Sequence, residues 1–163
     1  MKDAILFCLF TGVISTLVLD IWVRIARLAT GIEPTDWGMV GRWLRGIPTG
    51  HLVLDGSSPS PPTGGELALG WAFHYVIGIA YAVLILLIWG IGFVGAPTVW
   101  PVVFIGVVVS TLAGLMILMP GLGAGLMGAR LPNQGAMIAY LIVAHSVYAL
   151  GLYGAALWLS AKV

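Results

Sequence analysis

The amino-acid sequence predicts an all-α membrane protein with four transmembrane helices in one bundle and a short interfacial helix between spans 1 and 2. The chain has 163 residues, of which 60% are hydrophobic and 8% are charged, whereas soluble domains carry about 25% charged residues. Four mostly apolar stretches each offer roughly 20 residues or more, which is enough to cross ~30 Å of hydrocarbon. We therefore expect a single membrane domain over residues 1–163.

Charge and cysteine content exclude several classes of protein. The formal net charge is +1, and nucleic-acid binding requires a clustered basic surface that this sequence lacks. Cys8 is the only cysteine, which excludes an intramolecular disulfide and a zinc site built from cysteines. The expected partner is the lipid bilayer. A homo-oligomer and a partner subunit in a membrane complex both remain open.

The first predicted span covers residues 4–29. It follows a short basic start at Lys2, as a signal peptide would. No small-residue cleavage site follows cleanly and the helical pattern continues, so we expect an uncleaved span. Asp20 lies four residues before Arg24 on the same helix face, which is the favourable order for an acid and a base.

Residues 30–62 form a long polar segment, which we expect to be a cytoplasmic loop. Within it, residues 35–45 predict a short amphipathic helix, because Trp37, Val40 and Leu44 recur at helical spacing. The polar side of this helix carries Asp36, Arg42 and Arg45.

Arg42 and Arg45 admit two interpretations. Tryptophan and arginine together are typical of a helix that lies in the headgroup region, where both arginines would anchor it. Alternatively, the two guanidinium groups bind an anionic headgroup or substrate.

The remaining spans are predicted at residues 65–89, 97–119 and 135–159. Thr63 followed by Glu66 matches the capping-box pattern and fixes the start of the second span. Pro120 should end or kink the third span. We expect the glycine-rich residues that follow it to form a bent half-helix at the interface.

The arginine distribution predicts how the bundle is oriented. Loops 1 and 3, with the adjoining helix ends, carry Arg24, Arg27, Arg42, Arg45 and Arg130. The opposite side carries only Lys2 and Lys162. Because cytoplasmic loops are enriched in arginine and lysine, we expect loops 1 and 3 in the cytoplasm and both termini outside.

Among the ionisable side chains of the predicted spans, three lie at similar depths. His74 lies about 12 Å, His145 about 15 Å and Asp20 about 6 Å inside the cytoplasmic edge, at roughly 1.5 Å of rise per residue. Lipid cannot satisfy such groups. We therefore expect Asp20, His74 and His145 to face a common polar pocket.

This polar layer admits three interpretations. Two imidazoles and a carboxylate would suit one divalent metal ion, either zinc or an iron with open positions. The same groups would suit a proton or ion relay, the usual role of histidine and aspartate in membranes. Alternatively, Asp20 pairs with Arg24, and the histidines form hydrogen bonds to Ser, Thr or Tyr side chains of neighbouring helices.

Three further side chains border the layer. Glu66 could join the pocket, although its capping position also accounts for it. Tyr81 and Tyr148 either line the pocket or pack within the bundle. The sequence contains no serine–histidine–acid trio, HExxH or paired-carboxylate motif, so we assign no catalytic residue.

Six segments identify a family resemblance: DIWVR, DWGMVGRW, GELALGWAFHY, APTVWP, MPGLGAG and AHSVYALGLY. Together they resemble a bacterial integral-membrane family, domain of unknown function 2938, over nearly the whole chain. The resemblance implies a small bacterial inner-membrane protein, but no chemistry. Glutamine is common in the family where this chain has Met119. The polar positions that the family implies are Asp20, Arg42, Glu66, His74 and His145.

Three classes of function fit these observations. The first is a transport-type protein that moves a small molecule, an ion or a proton through the polar pocket. The second is a metal-dependent integral-membrane enzyme that acts on an apolar or lipid-like substrate. The third is a structural subunit of a membrane complex.

Overall fold

The computed structural model describes residues 2–54 and 60–162, and within them the chain forms helices and turns without a β-strand. Residues 55–59, part of the predicted polar loop, lie outside the described residues. The helices are α1 (Lys2–Thr30), α2 (Trp37–Gly46), α3 (Gly64–Trp89), α4 (Val99–Gly121) and α5 (Gln134–Ser160).

Helices α1, α3, α4 and α5 are each long and apolar enough to cross a membrane. Their ends lie within two residues of the predicted spans. Large apolar side chains point away from the protein on several of them, and Leu28, Leu87 and Leu150 are 89%, 75% and 71% exposed. Water would penalise so much apolar surface, whereas hydrocarbon does not. The predicted all-α membrane fold is confirmed.

Helix α2 is the short helix predicted between spans 1 and 2. It starts where the Asp36 carboxylate accepts hydrogen bonds from the backbone N–H groups of Gly38 and Met39, as an N-cap does. Its buried face matches the predicted apolar face only in part, at Val40. Val40 and Trp43 are 0% and 7% exposed, whereas Trp37 is only half-buried. Helix α2 therefore packs one face against protein.

Helix α4 departs twice from regular α-helix. Residues Phe104–Val109 and Gly114–Leu118 form π-helix, with the short α-helical segment Ser110–Ala113 between them. The helix ends one residue after Pro120, as predicted, because proline cannot continue the hydrogen-bond pattern.

The glycine-rich segment after α4 is a turn, and the prediction of a bent half-helix is wrong. A 3₁₀ turn of three residues, Leu126–Gly128, is the helical part of this segment. Gly123 and Gly125 adopt φ values of 84° and 79°, a region that glycine enters without steric cost. The glycines therefore reverse the chain here.

The chain groups into two compact units, and the first contains residues 2–34, 75–111 and 142–162. Phe7 of α1 packs edge-on against Phe93, with ring centroids 6.0 Å apart. The apolar core of this unit is formed by Phe7, Cys8, Ala82, Ile85, Phe93, Val94, Val102, Ile105, Tyr148, Ala149, Leu152, Ala156 and Leu159.

Helices α1 and α3 approach closely within the first unit. A methyl group on Gly12 would lie 2.5 Å from the Cα atom of Ile79, and one on Gly78 would overlap the Thr16 hydroxyl. The buried hydroxyl of Thr16 donates to the Gly12 carbonyl of its own helix over 2.8 Å. Small residues allow such contact between membrane helices.

The second unit contains residues 35–54, 60–74 and 112–141. Helix α2 touches the start of α3 backbone to backbone, since a methyl group on Gly41 would overlap the Glu66 carbonyl and one on Gly70 would overlap the Trp37 carbonyl. This close contact places the side chains of α2 directly beside those of α3.

Candidate functional site

Asp20 is bonded to a hydroxyl of a neighbouring helix. Its Oδ2 atom on α1 accepts a hydrogen bond from the Tyr75 hydroxyl of α3 over 2.9 Å, and the pair is partly buried. The sequence placed Arg24 beside Asp20, and the structure adds a partner from another span. A carboxylate inside a membrane segment needs such donors.

His145 is likewise bonded to a hydroxyl. Its Nδ1 atom on α5 lies 2.9 Å from the Thr111 hydroxyl of α4, and which group donates depends on the imidazole tautomer. The interpretation that histidines bond to hydroxyls of neighbouring helices is confirmed for this residue.

Thr111 lies in the short α-helical segment between the two π-helical stretches of α4. Its neighbour Ser110 donates to the Gly106 carbonyl within the first stretch over 2.7 Å. A π-helical turn disturbs the regular backbone pattern, and such turns often occur at functional sites. The partner of His145 therefore lies on an irregular part of its helix.

Tyr148 ties α5 to α3 inside the first unit. Its side chain is 3% exposed, and its hydroxyl donates to the Gly78 carbonyl over 2.7 Å. Tyr81 packs against it with ring centroids 6.1 Å apart and an interplanar angle of 71°. These contacts fit packing within the bundle. That the two tyrosines line a pocket stays a prediction.

His74 belongs to the second unit, where the rings of Trp37 and Trp71 contact it. It stacks on Trp37 of α2, with ring centroids 4.0 Å apart and an interplanar angle of 26°. Trp71 lies edge-on to the same imidazole at 5.8 Å. The prediction that His74 shares one pocket with Asp20 and His145 stays a prediction.

Glu66 and Arg42 form a nearly buried ion pair in the second unit. The Arg42 Nε and Nη2 atoms each lie 3.1 Å from one carboxylate oxygen of Glu66, and the two side chains are 15% and 10% exposed. Glu66 also accepts the Thr63 backbone N–H over 2.7 Å. The predicted capping box is confirmed, and Arg42 extends it.

The remaining donors of Arg42 are also used within the chain. Its Nη1 atom donates to the Ser60 carbonyl over 2.9 Å, and Nη2 donates to the Pro61 carbonyl over 3.0 Å. The hydrogen bond to Glu66 raises the pKa of the Arg42 guanidinium above its usual value. Arg45, by contrast, is exposed. Headgroup binding by these arginines stays a prediction, for which Arg45 is the accessible group.

A metal site is not assembled from the side chains described. Within residues 2–54 and 60–162, no three His, Cys, Asp or Glu side chains lie close enough together to hold a metal ion. The Nδ1 atom of His145 is already bonded to Thr111. The divalent metal ion expected at Asp20, His74 and His145 stays a prediction, because the described side chains do not form such a ligand cluster.

The sequence did not predict the contacts that His74 makes with Trp37 and Trp71 in the second unit. It also did not predict Tyr75 and Thr111 as the partners of Asp20 and His145 in the first unit. Trp71 was detectable, because it lies three residues before His74 and so shares its helix face. Thr111 was partly detectable as half of a Ser–Thr pair within an apolar span. Tyr75 and Trp37 gave no such signal, since their partners lie on other helices.

In the part of the chain that the structure describes, four membrane-length helices with polar side chains bonded between them define a multi-pass helical membrane protein. Residues 9–159 match the family model described as Protein of unknown function (DUF2938), and the chain belongs to this family. The predicted family is confirmed. No curated protein and no solved structure matches the chain significantly.

Proposed function

We propose that this protein is a transport-type protein that relays protons, with Asp20 and His145 as the groups that exchange them. The supporting observation is that each of these ionisable side chains bonds to a hydroxyl of a neighbouring membrane-length helix, Asp20 to Tyr75 and His145 to Thr111. Ionisable groups held inside membrane segments usually mark ion or proton pathways.

The chemistry of both pairs suits proton exchange. A carboxylate accepts a proton and releases it, and imidazole is the side chain that changes charge near neutral pH. The hydroxyls of Tyr75 and Thr111 both donate and accept hydrogen bonds. Each pair therefore contains the groups that a proton transfer needs.

The irregular backbone of α4 also favours this function. Thr111 lies between two π-helical stretches, where the normal i→i−4 hydrogen bonds are replaced. Single π-helical turns inside an α-helix are frequent at functional sites.

The competing function is a purely structural one, in which the same bonds only hold the helices together. Hydrogen bonds between membrane helices contribute on average about 0.6 kcal/mol, so their presence does not by itself require transport. Experiment can distinguish the two functions, because neutralising the ionisable group stops a relay even when the fold persists.

Proton flux into proteoliposomes tests the proposal. The purified protein is reconstituted in vesicles that contain a pH-sensitive dye, and a potassium gradient with valinomycin supplies the driving force. We expect flux above that of protein-free vesicles, and we expect Asp20→Asn and His145→Gln to reduce it to the protein-free level.

Matched controls exist outside the membrane helices. Glu33→Gln removes a carboxylate from an exposed ion pair with Arg27, and His51→Gln removes an exposed loop imidazole bonded to Thr49. Both should leave the flux unchanged. Wild-type protein that conducts no more than protein-free vesicles, or full flux in both Asp20→Asn and His145→Gln, would overturn the proposal.

We also propose that the protein resides in the bacterial inner membrane with loops 1 and 3 in the cytoplasm. The exposed cations Arg45 and Arg130 lie in these loops, whereas the turn between α3 and α4, Ile91–Val94, carries no charge. The positive-inside bias therefore favours this orientation.

A further inference from the structure

A cleft of about 490 Å³ lies in the first unit, where the start of α1 meets the end of α5. Its volume falls within the ~300–1,000 Å³ that is usual for ligand sites. The proton relay proposed above does not use it. The cleft is lined by Asp3, Leu6, Phe10, Trp158, Leu159 and Lys162.

One wall of the cleft is apolar and aromatic. Phe10 and Trp158 stack with ring centroids 5.1 Å apart and an interplanar angle of 21°. Leu6 is 57% exposed and Trp158 is 51% exposed. The stacked pair forms a preformed surface that can take up a hydrocarbon chain, since ordering rigid rings costs little conformational entropy.

The same cleft presents one positive and one negative charge. The Lys162 ammonium lies 3.7 Å above the centre of the Trp158 ring, a cation–π contact that holds the charge in place. Asp3 lies in the first turn of α1. In the described part of the chain, neither charge forms an ion pair, so both are available to a ligand.

The cleft lies where membrane helices end. Trp158 is in the last turn of α5 and Asp3 is in the first turn of α1. Tryptophan and lysine at such positions are typical of the interface, where aromatic rings meet lipid headgroups. A ligand here would meet an apolar wall and two opposite charges at headgroup depth.

We propose that this cleft binds a zwitterionic phospholipid with a primary amine, of the phosphatidylethanolamine type. Lys162 pairs with the phosphate and Asp3 accepts hydrogen bonds from the ammonium group. Leu6, Phe10 and Trp158 contact the glycerol and the upper acyl chain. Charge complementarity selects this lipid: an anionic lipid leaves Asp3 without a cation, and a choline headgroup has no N–H to donate.

Native mass spectrometry of the detergent-solubilised protein tests this site. Phosphatidylethanolamine, phosphatidylcholine and phosphatidylglycerol with identical acyl chains are titrated separately, and the fraction of protein that retains one lipid is measured. We expect phosphatidylethanolamine to bind most tightly. Lys162→Gln should weaken it about fivefold, the usual contribution of one basic residue near a lipid phosphate.

Two variants separate the roles of the charges. Asp3→Ala removes the acceptor for the ammonium N–H groups and should abolish the preference for phosphatidylethanolamine over phosphatidylcholine, whereas Lys162→Gln should weaken both lipids. Lys162→Arg should restore binding, because it keeps the positive charge. Lys2→Gln is the matched control, since it removes a cation next to Asp3 that does not line the cleft, and it should change nothing.

Competition distinguishes a lipid from a free headgroup. Soluble phosphoethanolamine should fail to displace the lipid at equal concentration, because it lacks the chain that contacts the aromatic wall. Full displacement by phosphoethanolamine, equal binding of all three lipids, or equal losses in Lys2→Gln and Lys162→Gln would overturn the proposal.

Discussion

The Arg42–Glu66 pair shows how single residues join two helices. Glu66 accepts hydrogen bonds from Thr63 at its own helix start and from Arg42 of α2. Both carboxylate oxygens are occupied, and the side chain is 10% exposed. Removing one partner of such a pair leaves the other charge with a desolvation cost and no compensation.

We therefore expect Arg42→Gln to lower the thermal unfolding midpoint of the detergent-solubilised protein. Arg42→Lys should not restore it, because an ammonium cannot make the two parallel hydrogen bonds of a guanidinium. Arg45→Gln, an exposed arginine three residues along the same helix, is the control and should leave the midpoint unchanged. Equal midpoints for Arg42→Gln and Arg45→Gln would contradict the account.

At the residue scale, contacts within one stretch of chain were more predictable from the sequence than contacts between helices. The local capping contact between Thr63 and Glu66 follows from spacing along the chain. The bonds of Asp20 to Tyr75 and of His145 to Thr111 connect separate helices. Which residues pair in this way depends on how each helix is rotated about its own axis. Periodicity within one helix does not fix that rotation.

At the element scale, glycines control how closely α2 approaches α3. Gly41 and Gly70 each face a backbone carbonyl that an added methyl group would overlap. Backbone atoms cannot move aside as the end of a flexible side chain can, so a larger residue must separate the helices.

We expect Gly41→Ala and Gly70→Ala to destabilise the protein by about 1–3 kcal/mol. Gly65→Ala is the matched control on α3, because nothing lies within 4 Å of an added methyl group there. It should be neutral or stabilising, since alanine favours helix over glycine by up to ~1 kcal/mol. Unfolding titration with sodium dodecyl sulfate measures all three, and a destabilisation common to all three would contradict the close contact.

The turn after α4 contains a residue in a strained backbone conformation. Met127 adopts a φ of 55°, which a side chain other than glycine or asparagine enters at a cost. Met127→Asn should therefore raise the free energy of unfolding by up to about 1 kcal/mol. Leu126→Asn, at an exposed neighbouring position, should not. The same titration measures both, and equal effects would contradict the assignment of strain to Met127.

The helix ends were predictable, whereas the π-helical stretches of α4 were not. Apolar length predicted the ends of α1, α3, α4 and α5, as hydrocarbon thickness requires, and the Thr63–Glu66 capping box marks the start of α3. The run FIGVVV reads as ordinary apolar helix, but the structure makes it π-helix. Hydrophobic pattern alone does not distinguish the two. The glycine-rich turn was misread because apolar glycine segments fit a helix and a turn equally well.

At the scale of the whole molecule, composition determines the environment. Many large apolar side chains of the membrane-length helices are exposed, so hydrocarbon must complete the packing that the chain itself does not provide. Fold class was therefore predictable from composition and length. The pairing of side chains across helices was not, because it depends on how each helix rotates and packs.

Orientation is testable with single cysteines. Cys8 is buried, so Cys8→Ser supplies a background for Thr49→Cys in loop 1, Asn133→Cys in loop 3 and Gly92→Cys between α3 and α4. We expect a membrane-impermeant maleimide added to spheroplasts to label Gly92→Cys alone. Labelling of Thr49→Cys or Asn133→Cys without membrane lysis would contradict the predicted orientation.

The central claim is that the hydrogen-bonded pairs Asp20–Tyr75 and His145–Thr111 carry protons and do not only hold the helices together. A substitution at Thr111 distinguishes these two roles most directly. Thr111→Val keeps the shape of the side chain but removes the hydroxyl that contacts His145. Losing one such bond should cost only about 0.6 kcal/mol of stability. We predict that Thr111→Val retains its fold and loses proton flux in proteoliposomes, while Thr111→Ser conducts as the wild type does. Wild-type flux through folded Thr111→Val would contradict the relay.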